Sequence, residues 1–101
     1  MWILVFYDLP TFSKEERKAQ AQFRKDLMSN GFIMFQFSIY VRHCSSMENA
    51  EVHMRRILNY LPSKGKVGIM CITDRQFGMM KLYFGKKVEK LPEGPGQLTL
   101  F

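Results

Sequence analysis

The sequence lacks any apolar run approaching the roughly 20 residues of a membrane-spanning helix, so no membrane association is expected. Trp2 to Tyr7 is apolar but too short for the core of a secretory signal followed by a cleavage site. Cysteine is scarce. Cys44 and Cys71 form no CxxC pair and no ligand cluster, which argues against zinc. Cys71 lies in an apolar run and reads as a packed residue. A reducing cytoplasm is the expected compartment. His43 and His53 are not spaced as metal ligands, and neither a glycine-rich phosphate loop nor a Ser-His-Asp signature is present. These absences remove most hydrolase and nucleotide-binding classes that carry a local signature.

Acid is also in short supply: 9 Asp and Glu face 15 Lys and Arg, for a net charge of +6. A basic surface attracts polyanions over long range, so nucleic acid or an acidic partner is favoured, although a merely soluble basic protein has the same balance. The 101 residues fit one domain. Hydrophobic residues make up 47% and aromatics 14%, a large share for a chain whose core is limited by its size. An apolar excess in a small chain points to a partner surface.

Met1 to Tyr7 reads MWILVFY, apolar on both parities, which predicts a strand covered on both faces. Asp8-Leu9-Pro10 ends it. Ser13 and Glu16 form an S-x-x-E capping box for a helix running to about Asn30, with Gly31 as its left-handed stop. Ala19, Phe23 and Leu27 line one face of that helix. Phe32 to His43 alternates: Ile33, Phe35, Phe37, Ile39 and Val41 on one side, Met34, Gln36, Ser38, Tyr40 and Arg42 on the other. The stretch suits one long strand or two with a tight bend, and no Gly, Pro or Asn marks the break. A second capping box is read at Ser45 and Glu48, followed by a core stripe of Met47, Ala50, Met54, Ile57, Leu58 and Leu61. Pro62 closes that helix, and Ser63 to Lys66 makes a turn. Val67 to Thr73 is a further strand, Asp74 to Phe77 a short helical turn with Asp74 as its N-cap, and Met79 to Phe84 a fifth strand edging the sheet or reaching a partner.

The order βαββαβ predicts an α+β, ferredoxin-like domain over 1–85, with 86–101 as a C-terminal tail in which Gln97 to Phe101 adds a strand to the dimer or to another protein. Two helices on one side of the sheet leave the other face bare. A first strand apolar on both faces needs that second face covered, either by a second copy of the chain or by the tail.

On the first helix, at about 100° per residue, Lys14, Arg17, Lys18, Arg24 and Lys25 share an arc without an acid, opposite Ala19, Phe23 and Leu27. An ordinary solvated face accounts for such an arc, and so does a ridge facing phosphates.

Tyr7-Asp8-Leu9-Pro10, the run from Gly31 to Tyr40 containing Gln36-Phe37-Ser38-Ile39-Tyr40, and Thr73-Asp74-Arg75-Gln76-Phe77 together resemble the CRISPR-associated protein 2 family over nearly the whole chain. The long helical insert and the element after the fourth strand most resemble members found beside single-protein DNA-cutting effectors. The resemblance implies a homodimer lying between two dimers of the CRISPR integrase and binding the duplex DNA that becomes a new spacer. It implies a divalent metal, Mg²⁺, held near the dimer axis by Asp8, and a metal-dependent endonuclease acting on single-stranded RNA or on DNA. Tyr7, Phe37 and Ser38, inside the matched motifs, are expected to line the site or the dimer contact.

Metal-assisted phosphodiester cleavage needs a hard cation on oxygen ligands, and one carboxylate is a poor set. A two-fold axis would bring two copies of Asp8 to one ion. Asp8 also suits a plain turn residue after a strand. Three other functions remain open: a non-catalytic scaffold of the integrase complex, a toxin-like ribonuclease of the same fold, and a single-stranded RNA-binding module. The last is disfavoured because its basic-Gly-aromatic strand motif is missing and Val67 to Thr73 is aliphatic.

Overall fold

The computed structural model describes residues 1–94. In chain order these form β1 (Trp2–Asp8), α1 (Lys14–Ser29), β2 (Ile33–Gln36), β3 (Ile39–His43), α2 (Met47–Ile57) with a 3₁₀ turn Leu58–Tyr60, β4 (Lys66–Ile72), α3 (Asp74–Gly78), β5 (Leu82–Phe84) and β6 (Lys87–Glu89). The expected Gln97–Phe101 strand lies outside the described residues.

The main sheet runs β2-β3-β1-β4 with every neighbouring pair antiparallel, the ferredoxin-like arrangement. β1 is central, hydrogen-bonded to β3 on one side and β4 on the other, and its two apolar parities pack differently: Ile3 and Val5 in the main core, Trp2 in a second one. Ile3 and Val5 point to the helices and are fully buried with Phe23, Leu27, Tyr40, Ala50 and Ile57.

Among the described residues, the other face is covered only at one end. There Trp2 stacks on Phe77 of α3, with ring centroids 4.0 Å apart and an 8° interplanar angle. Trp2, Val41 and Phe77 form a second small core, edged by Leu4, Phe35, Ile72, Met80 and Leu91. Ile33 and Met70, level with Leu4, remain about half exposed, and so does Phe6 towards the Asp8 end.

α1 begins and ends as its sequence predicts. Ser13 Oγ accepts from Glu16 N (3.0 Å), Glu16 Oε1 accepts from Ser13 N (2.8 Å), and Gly31 takes φ +87° just beyond the helix. Glu16's carboxyl sits below its ordinary pKa, chiefly because the Ser13 N–H stabilises the ionised form. Ala19, by contrast, is exposed rather than core.

Several expectations are corrected. The Phe32–His43 stretch breaks at Phe37-Ser38, between β2 and β3, and Ser38 itself adopts the left-handed conformation (φ +65°). A serine carrying a role usually given to glycine or asparagine leaves no sequence mark of the turn. Phe37 therefore leaves the strand alternation and is 88% exposed. The α2 cap is Ser46, not Ser45: Ser46 Oγ accepts from Asn49 N (3.1 Å), while Asn49 Oδ1 reaches back to Ser45 N (3.4 Å). Asn49 thus does what Glu48 was expected to do, one residue later. Met47, Leu58 and Leu61 lie exposed, and His53 occupies the core side of α2 instead.

For α3 the cap is Thr73, in a reciprocal box with Gln76. Asp74 is released from capping and pairs with the Met1 ammonium (2.7 Å) and His43. The expected Met79–Phe84 strand is shorter. Met79 still closes α3, and Leu82–Phe84 pairs with β6 as a separate hairpin through Gly85 (φ +61°), off the main sheet.

Candidate functional site

Asp8 ends β1 at the bare end of the sheet, its backbone in register with Lys66 at the start of β4. It lines a cavity of about 540 Å³ with Phe6, Tyr7, Phe37, Ser38, Ile39, Lys66, Val67 and Gly68. Two close approaches shape it. The Phe6 ring lies over Gly68, where an added Cβ would come within 2.2 Å of the ring, so glycine is needed to let the ring lie down. Gly65 (φ +88°) lets the α2–β4 turn press on the Asp8 backbone, since a Cβ there would meet the Asp8 carbonyl oxygen at 2.6 Å. The β2–β3 turn is tied to the same spot by a backbone bond from Tyr7 N to Ser38 O (3.1 Å).

The structure therefore brings together Tyr7-Asp8 and Phe37-Ser38, two pairs far apart along the chain. Tyr7 turns its ring to the helix side, edge-on to Phe23 (5.3 Å) and stacked with Tyr40 (6.2 Å). Its phenol is pushed above its ordinary pKa, first by burial and then by Tyr40, with Arg24 and Ser38 opposing.

The five cations of α1 are all exposed. Among the described residues none of them forms a salt bridge. Arg17 Nη1 donates to Thr11 O (3.2 Å) and Phe12 O (3.0 Å), so it also braces the β1–α1 loop. Arg17 and Arg24 line a second cavity beside the Asp8 one, whereas Lys14, Lys18 and Lys25 line neither.

Residues 1–80 match the family described as CRISPR associated protein Cas2. The chain belongs to the Cas2 family. A protein from Flavobacterium psychrophilum named CRISPR-associated endoribonuclease Cas2 is 58% identical over all of this chain and 88% of its own length. One of the same name from Parvibaculum lavamentivorans is 50% identical over the full length of both. The crystal structure of Streptococcus pyogenes Cas2 at pH 6.5 superposes with a TM-score of 0.58 over 82% of this chain and all of that one, at 19% identity, which supports the fold. The family read from Tyr7-Asp8, Gln36 to Tyr40 and Thr73 to Phe77 is thus the one found.

Among the described residues of this Cas2-family chain, no group of three His, Cys, Asp or Glu converges on a common point. Asp8 is the sole carboxylate lining its cavity, and Lys66 stands opposite it. Hard divalent cations take several oxygen ligands, so one chain alone does not fit a metal, and the donor set becomes suitable only if a second carboxylate joins it. Lys66, Gly68 and Tyr40 escaped sequence reasoning as site residues. Their proximity to the site follows from strand register, for which the sequence carries no local signal. Among the described residues no helix is long and apolar enough to cross a membrane.

Proposed function

We propose that this chain is the small subunit of the CRISPR spacer-acquisition machinery, working as a homodimer with the integrase on duplex DNA and carrying an endonuclease-type site at the dimer axis. The carrying observation is the position of Asp8, beside a cavity of about 540 Å³ at the uncovered end of the sheet. A second copy packed on Phe6, Ile33 and Met70 would bury those half-exposed side chains and bring a second Asp8 towards the first. The two carboxylates would hold Mg²⁺, which when bound polarises a phosphate and acidifies water. The relatives' name, endoribonuclease, supports cleavage of single-stranded RNA, with duplex DNA as the other substrate. Tyr7, Phe37 and Ser38 line the site and confine the strand. The cations Lys14, Arg17, Lys18, Arg24 and Lys25, which form no salt bridge among the described residues, offer a ridge to phosphates, and the tail 86–101 docks on the dimer or the integrase. The cytoplasm, where such DNA is processed, is the proposed compartment.

A non-catalytic scaffold is a second reading, favoured by Lys66, whose place in register with Asp8 brings a positive charge to the lining of the same cavity. The Asp8→Asn variant separates the two. On the nuclease reading it loses Mg²⁺-dependent cleavage of RNA and DNA substrates while remaining folded and dimeric. Cleavage unchanged in the variant refutes the catalytic assignment, and spacer acquisition retained without cleavage makes the scaffold the biological role.

A further inference from the structure

A third cavity, of about 270 Å³, lies where the first turns of α1 meet the β1–α1 loop and the loop before β4. It shares no lining residue with the Asp8 cavity. Leu9, Pro10, Ala19 and Pro62 give it an apolar wall. Helix periodicity assigns Ala19 and Leu61 to core stripes, yet both are exposed, so two apolar stripes run out at one opening. Phe12, next in the chain to the lining Ser13, is 93% exposed. The walls are fixed from within. Ser13 and Glu16 are locked in their capping box, and Arg17 braces the carbonyls of Thr11 and Phe12. Gly65 lets the loop before β4 lie on Leu9, whose Cδ2 an added Cβ would meet at 2.8 Å. Little ordering is left for a ligand to impose.

The ionisable groups of the lining are Glu15, Glu16 and Lys64. Lys64 lies 3.7 Å from Glu16, which Ser13 also holds, whereas the Glu15 carboxylate has no hydrogen bond or salt bridge among the described residues. Two acids to one base is the reverse of the +6 balance of the whole chain, and the basic arc of α1 contributes nothing to this wall. Such a lining repels phosphates. The volume, under the roughly 300–1,000 Å³ of whole-ligand pockets, admits one or two side chains. An apolar wall beside a free carboxylate matches an apolar residue next to a Lys or Arg, and an exposed aromatic in the adjoining loop is a usual anchor of protein contacts. We propose that this groove docks an extended segment of a partner protein, which lays one apolar side chain against Leu9, Pro10 and Pro62, sets a Lys or Arg on Glu15 and packs against Phe12. Such docking is independent of the chemistry at Asp8, whose cavity lies apart.

The test pans a display library of random short peptides on the immobilised native protein. The dominant binders carry an apolar residue next to Lys or Arg. A synthetic peptide of the recovered pattern shifts the backbone amide resonances of Ser13, Gln20 and Ser63 when titrated. Its binding weakens about tenfold or more in Ala19→Arg, which fills the groove from an exposed helical position that arginine suits. It weakens about fivefold in Phe12→Ala, the loss of an aromatic anchor, and about threefold in Glu15→Gln, the loss of an exposed ion pair. Melting curves establish that each variant is folded. A labelled oligonucleotide binds Ala19→Arg at least as tightly as the native chain, and Ala19→Arg and Phe12→Ala both keep the native oligomeric mass. Four results would each overturn the proposal. One is a panning that recovers no peptide, or only acidic ones drawn by the net charge of +6. Another is peptide binding indifferent to Ala19→Arg and Glu15→Gln. A third is weaker oligonucleotide binding in Ala19→Arg, which would give the groove to nucleic acid. The last is a change of mass in either variant, which would give it to a second copy of the chain.

Discussion

Phe77 is the side chain that closes one end of the open sheet face, and its truncation tests whether that end is held within the chain. The ring is 3% exposed, stacks on Trp2 at 4.0 Å and meets Phe35 edge-on at 6.1 Å. An aromatic side chain buries about 150–250 Å², worth about 4–6 kcal/mol at 25 cal/mol per Å² as an upper bound, and stacking adds about 0.5–1.5. Alanine keeps part of that contact, and a half-open site can collapse, so Phe77→Ala is expected to cost about 3 kcal/mol, the low end for buried aromatics. For a domain near this size that corresponds to a fall in Tm of about 12–24 °C. Trp2 is the only tryptophan, so urea unfolding followed by its fluorescence at fixed chain concentration reads stability and local exposure together. The variant's native spectrum should shift to the red as Trp2 meets water. Phe12→Ala is the control: Phe12 is 93% exposed and its loss should fall within about 0.5 kcal/mol. A cost below about 1 kcal/mol for Phe77→Ala, with an unshifted spectrum, would show that α3 does not close the face.

His53 is buried on α2, its Nδ1 has no hydrogen-bond partner among the described residues, and burial, then Arg42 and Arg56, hold its pKa below the usual value. The folded state therefore disfavours the imidazolium, so this group's contribution is complete above about pH 6.5, the unfolded pKa, and is lost as pH falls through the lower folded value. Denaturant midpoints between pH 7 and 5 should fall in the native protein and fall less in His53→Gln. Equal slopes would remove His53 from the acid response. Gly65→Ala forces a side chain into the left-handed region and against the Asp8 carbonyl, so a loss of about 2 kcal/mol with weaker Asp8-dependent cleavage is expected. A variant as stable and active as the native chain would show that the turn does not position Asp8.

The helix boundaries were legible because their causes are local. Ser13 and Glu16 meet within one turn of helix, and Gly31 stops it by its own backbone freedom. The limits of local reading are equally physical. At Ser45-Ser46 two equivalent caps compete, and only the reach of Asn49 selects the second. At Thr73-Asp74 either side chain could cap, and Asp74 is drawn off by the Met1 ammonium just ahead of β1 and by His43 of β3. Of the site, Asp8 and its neighbours Tyr7, Phe37 and Ser38 could be named from motifs. The cavity they share with Lys66 and Gly68 could not, nor could the placement of Arg24, and not Lys25, on the second cavity.

By itself the sequence determined the βαββαβ order, the double-faced central strand, the basic arc of α1 and the family, since periodicity, capping and motif are properties of neighbouring residues. Tertiary structure alone decided that Lys66 stands opposite Asp8, that α3 covers Trp2 and leaves Phe6 bare, and that Ser38 turns the chain between the two cavities. Those outcomes depend on strand register and on which apolar surfaces meet, and that choice is made by free energy summed over residues distant in the chain.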